Sequence, residues 1–187
     1  MATKIYIDQG HNPVNPNAGS EGNGFREQDL VYTIGQMTAA SLRSYGFDVR
    51  LSRPSPTTQL GTSNTTSLQA RVNDANSWGA DYFISLHTNA SDVTSASGSE
   101  AFVYRRDSDA EYLAENILTQ LNYATGLQNR GVMVRPGLYV LKKTRMPATL
   151  VELGFITNPV DAELMAYSPG LFAAGESNGV LAYFGML

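Results

Sequence analysis

Cysteine is absent from the 187 residues of this chain, and histidine occurs only twice. The first absence removes thiol nucleophiles, thiolate metal ligands and disulfide staples together. It says nothing of compartment, because a cysteine-free chain suits the cytosol and the bacterial exterior equally. No apolar run approaches the ~18 residues of a membrane span, so membrane insertion is not expected. The start, Met1-Ala2-Thr3-Lys4, leads straight into Ile5-Tyr6-Ile7, without the ~7–15 apolar residues of a secretory leader. Export would then need a leader already removed, or another route. Runs of Lys and Arg are also missing; Arg105-Arg106 and Lys142-Lys143 are the densest spots. With a net charge of −4, nucleic acid is not an expected partner, since a phosphate backbone calls for a clustered basic surface.

What is present suits one globular domain spanning residues 1–187 and expected to be monomeric. Hydrophobic residues make up 42%, enough for a core without staples. Any bound metal is therefore expected to be functional rather than structural. Residues 4–8, 47–52, 81–86, 101–104, 132–134, 139–141 and 148–153 read as strands. The stripe Leu30, Val31, Ile34, Met37, Leu42 predicts a helix from Glu27 to Tyr45, stopped by Gly46. Thr66 with Gln69, and Ser108 with Glu111, have the spacing of capping boxes. The helices they open stop near Trp78-Gly79 and at Gly126. Asn158-Pro159 and Ser168-Pro169 each look like an N-cap followed by proline at the first helical position. Strands alternate with helices, so the expected fold is α/β, with a central, mostly parallel sheet flanked by helices.

Both histidines follow strands: His11 after residues 4–8, and His87 after residues 81–86. Ligands of open α/β sheets collect at the carboxyl ends of strands, so the two can converge there; equally, each can be an isolated loop histidine. Glu152 stands inside the apolar run Ala148-Thr149-Leu150-Val151-Glu152-Leu153-Gly154-Phe155. A buried carboxylate without a partner costs several kcal/mol or takes up a proton, so Glu152 needs either a polar site or a structural arginine. Glu27 opens a helix, where a carboxylate complements the macrodipole or supplies an oxygen ligand. Two histidines and one glutamate with an open fourth position form a known catalytic zinc shell. A further glutamate then fits a general base.

The chain resembles the zinc-dependent N-acetylmuramoyl-L-alanine amidases of bacteria and phages. The resemblance is carried, in order, by Ile5-Tyr6-Ile7-Asp8-Gln9-Gly10-His11, by Glu27 with its helix, and by Leu68-Gln69-Ala70-Arg71. It continues through Ala80-Asp81-Tyr82-Phe83-Ile84-Ser85-Leu86-His87-Thr88-Asn89-Ala90, Asn129-Arg130-Gly131-Val132 and Tyr139-Val140-Leu141. Met146-Pro147 followed by Ala148 to Pro159 closes it. It implies one zinc ion held by His11, Glu27 and His87, with Glu152 as the catalytic residue. It also implies bacterial peptidoglycan as substrate and an extracellular or cell-wall location. Asn89 is expected either to touch substrate or to hold the His87 loop. Where the family often has two glycines after the first histidine, Asn12-Pro13 stand here. The connection between His87 and Ser108 is too short for the inhibitory helix of some relatives, which implies an open site. A zinc peptidase cutting the peptide stem, and a non-catalytic wall-binding module, are the rival expectations.

Overall fold

The apolar runs become a six-stranded sheet in the computed structural model, which describes residues 2–187. The strands are β1 (Lys4–Gln9), β4 (Asp48–Leu51), β5 (Tyr82–Asn89), β6 (Ser99–Val103), β7 (Asn129–Val134) and β8 (Ala148–Phe155). A two-stranded ribbon of β2 (Glu21–Gly22) and β3 (Phe25–Arg26) lies apart. The helices are α1 (Glu27–Ser44), α2 (Asn64–Trp78), α3 (Asp109–Thr125), α4 (Tyr139–Lys143), α5 (Pro159–Tyr167) and α6 (Pro169–Tyr183). The sheet order is β4-β1-β5-β8-β6-β7. All neighbours are parallel except β6 and β8. The expected α/β fold with a mostly parallel sheet is therefore what forms.

Side chains alternate faces along a strand, and this splits the core in two. Ile5, Ile7, Ile84, Leu86, Val151 and Leu153 pack with residues of α1, α3 and α6. Tyr6, Phe83, Phe102 and Leu150 pack on the other face, against α2 and α4. By the same alternation, His87 and Glu152 share the face of Phe83 and Leu150. They stand in the carboxyl-terminal halves of their strands, on the face that also carries the five-residue helix α4.

Three readings of local structure are corrected. Tyr139-Val140-Leu141 is helical rather than a strand; Val140 and Leu141 are buried, and Lys142 N–H bonds to the Leu138 carbonyl. Periodicity cannot separate a strand from a buried helical turn in so short an apolar run. The capping box of α2 is formed by Ser63 and Thr66, one turn earlier than Thr66 and Gln69. In it the threonine hydroxyl accepts the Ser63 N–H at 2.9 Å. Strand β6 begins at Ser99, two residues before the apolar signal, and so takes in Glu100. Ser108 caps α3 as expected, although the Glu111 carboxylate bonds to Asp107 N–H rather than to Ser108.

Candidate metal centre and active site

Strand β1 ends at Gln9, and Gly10 carries the chain into His11. Gly10 N–H bonds to the Leu86 carbonyl at 3.0 Å, tying this turn to β5. A Cβ on Gly10 would lie 2.5 Å from His87 Cε1 and 2.6 Å from the Leu86 carbonyl oxygen. Only glycine lets the turn pass so close to the second histidine. His11 itself has φ +64, a left-handed conformation that costs most residues about 1–2 kcal/mol. The buried Arg71 of α2 holds it there. Its guanidinium donates to the His11 carbonyl, to the Gln9 carbonyl at 2.7 Å and to Asp8 Oδ1 at 2.6 Å. Burial works against the Asp8 charge, but Arg71 and the Ser85 hydroxyl hold its carboxyl below the usual range. The loop beyond is clamped by Asn12, whose carboxamide donates to the Pro16 and Leu60 carbonyls and accepts Leu60 N–H. The departure at Asn12-Pro13 thus keeps a well-anchored turn.

Glu27 is not a simple helix cap. Its Oε2 accepts Ser20 N–H at 2.8 Å, and its Oε1 accepts Thr88 N–H at 2.9 Å. That second oxygen also lies 3.1 Å from His11 Nε2 and 3.1 Å from His87 Nδ1. The two ring nitrogens are 3.1 Å apart. Three donor atoms, from the turn after β1, from α1 and from β5, therefore form a nearly equilateral triangle. A tetrahedron with metal bonds of 2.0–2.1 Å has edges of about 3.3 Å, so the triangle fits one face of a small tetrahedral ion. Burial opposes ionisation of Glu27, yet its bonds to both histidines push its carboxyl far below the usual range. The donor set is thus one anionic oxygen and two imidazoles, which suits zinc.

Glu152 pairs in register with His87 on one side and with Glu100 on the other. A structural arginine does not partner it. Its Oε2 is shielded from solvent and has no hydrogen-bond partner among the described residues. Burial, then the charges of Glu27 and Glu100, push its carboxyl up to about 8. A carboxyl so tuned can accept and return a proton near neutrality. Asn89 extends β5 past His87, and its carboxamide donates to Glu100 Oε1 at 2.7 Å. A cavity of about 150 Å³ opens beside the histidines, walled by Leu68, Leu138, Tyr139, Val140 and Leu150. Sequence reasoning did not assign roles to Gly10, Arg71 or Glu100. The signal for Arg71 was its place in a block shared with the family.

Fold and site together define a class: an α/β domain with a metal-type donor cluster at its sheet edge, beside a carboxyl able to carry a proton. The chain belongs to the N-acetylmuramoyl-L-alanine amidase family, whose model matches residues 5–181. It is 34% identical to the N-acetylmuramoyl-L-alanine amidase LytC of Bacillus subtilis over 96% of this chain and 35% of that protein. It is likewise 34% identical to the amidase CwlM of Bacillus licheniformis, over 98% of this chain and 69% of CwlM. This chain thus spans about a third of LytC. Among solved structures, the amidase AmiC2 of Nostoc punctiforme superposes with a TM-score of 0.84 at 30% identity, covering 98% of this chain and 97% of that one.

Proposed function

We propose that residues 1–187 form one catalytic domain that hydrolyses the amide joining N-acetylmuramic acid to L-alanine in bacterial peptidoglycan. The reading is carried by the triangle of His11, Glu27 and His87 donors, set beside the half-buried Glu152 carboxyl with its shielded, unpartnered Oε2. In this reading those three residues hold a single zinc ion. Zinc, when bound, supplies a Lewis acid for the amide carbonyl and lowers the pKa of water. Glu152 takes the proton of the attacking water and returns it to the departing alanine nitrogen. Glu27 stays ionised throughout because both histidines face it. Arg71, through the His11 carbonyl, keeps the first imidazole aimed at the cluster. Residues 90–98 join β5 to β6 without a helix.

In this reading the protein works outside the cell or in the wall, where peptidoglycan lies, and its amidase relatives support that. No helix among the described residues is long and apolar enough to cross a membrane. Mass spectrometry of muropeptides after digestion tests the reaction, with and without a chelator. The expected product carries a new amino group on L-alanine, and chelation abolishes it. Cleavage elsewhere in the stem would replace this reading with a peptidase, and no cleavage at all would leave a wall-binding module.

A further inference from the structure

The geometry points to Arg130 as the residue that binds the peptide half of the substrate, through a carboxylate near the scissile amide. This rests on the amidase reading above.

His87, Glu152 and Glu100 are register partners on three adjacent strands, so they form a row across one end of the sheet. With strands about 4.8 Å apart, the row carries the surface roughly 10 Å from His87 to Glu100. At its far end lies Arg130 of β7. Its Nε donates to Glu100 Oε2 at 3.1 Å, and its Nη1 donates to the Ser97 carbonyl at 3.2 Å. The guanidinium lies over the buried Phe155 ring, 5.1 Å from the centroid. Glu100 is fixed in turn by Asn89, two residues beyond His87. Arg130 is thus held on three sides, and its Nη2 makes no hydrogen bond among the described residues. The side chain is about one-third exposed. Holding a planar donor in advance lowers the ordering cost of binding an anion.

Charge then gives the direction of the substrate. The glycan half is uncharged next to the scissile bond, because the lactyl carboxyl is itself the amide. The peptide half bears carboxylates. On the other side of the cluster the His11 loop offers the exposed amide of Asn15, suited to a sugar hydroxyl. An extended peptide advances about 3.3–3.6 Å per residue, so a run of roughly 10 Å fits a carboxylate on the second or third stem residue. The second is the better match, because its side chain and main chain each end in a carboxyl and only one is used to continue the stem.

Two synthetic muramyl peptides test this, identical except that the second stem residue carries a free carboxylate or a carboxamide. Zinc-loaded wild-type enzyme should cleave the carboxylate substrate with kcat/KM about ten-fold higher or more, the usual gain from a hydrogen bond to a charged group, and the difference should lie mainly in KM. Arg130→Gln should erase the preference, its kcat/KM falling far more on the carboxylate substrate than on the carboxamide, with little change in melting temperature. Arg130→Lys should restore part of the preference, and Lys143→Gln should leave all of it. Equal cleavage of both substrates by the wild type overturns the proposal. So does an Arg130→Gln enzyme that is slowed alike on both, since that marks a structural ion pair with Glu100. Cleavage of neither substrate by the wild type would be distinct, because it removes the amidase reading and this inference with it.

Discussion

At the scale of single residues, the site separates holding a metal from moving a proton. Glu152→Gln keeps shape and loses the acceptor. Turnover on labelled walls should fall by at least about two decades, while zinc content and melting temperature stay near wild type. If Glu152 only anchored a buried ion pair, the neutral amide would instead cost roughly 3–5 kcal/mol of stability; the unpartnered Oε2 argues against that outcome. His87→Ala should remove one corner of the donor triangle and with it the zinc, read by metal analysis of the folded protein. Gly10→Ala tests the close approach behind the same ligand. Its Cβ would press into the imidazole and the Leu86 carbonyl, so zinc affinity should drop while far-UV circular dichroism is preserved.

At the scale of elements, α6 lies against α3 through glycines. A Cβ on Gly175 would sit 2.8 Å from Leu121 Cα, and Gly179 meets the Ile117 backbone still more closely. Gly179→Ala should therefore destabilise by about 1–3 kcal/mol through overpacking, seen in chemical denaturation, with activity per folded molecule unchanged. The same helix buries Glu176 completely, with neither carboxyl oxygen bonded, and burial alone pushes its carboxyl up to about 8. A carboxyl raised in the fold supports it fully below its unfolded pKa, near 4.5, and that support is lost as pH rises towards 8. Glu176→Met should thus gain stability over wild type across pH 5–8, by up to roughly 5 kcal/mol. A pH-independent difference between the two melting curves would contradict this. Much at this scale was legible beforehand. β1, β5 and β8 are buried along most of both faces, so they read as largely apolar runs; the first two pointed to His11 and His87 at their ends, and Glu152 stood out inside the third. Glu100 was not legible, because Ala96-Ser97-Gly98-Ser99 before it reads as a loop. Nor was the Asp8–Arg71 pair, whose partners are 63 residues apart. Tyr139 to Leu141 misled because three apolar residues fit a strand and a helical turn equally.

At the scale of the molecule, the proposed metal cluster sits on a fold whose packing does not use it. Two apolar cores pack against the sheet, and neither includes a histidine. Chelation should therefore abolish hydrolysis and leave the far-UV spectrum intact, and added zinc should restore activity without a refolding step. A chelated protein that unfolds cooperatively would make the metal structural. The order of the strands has one more consequence, for how the chain is made. β8 occupies the slot between β5 and β6, although it is the last strand to be synthesised. All three donors of the triangle leave the ribosome within the first 87 residues, but the proton carrier follows some 65 residues later. On the proposed reading, a nascent chain can gather its metal ligands before it can cut anything, and wall-degrading capacity arrives in a single late event, when the final strand closes the gap in the sheet.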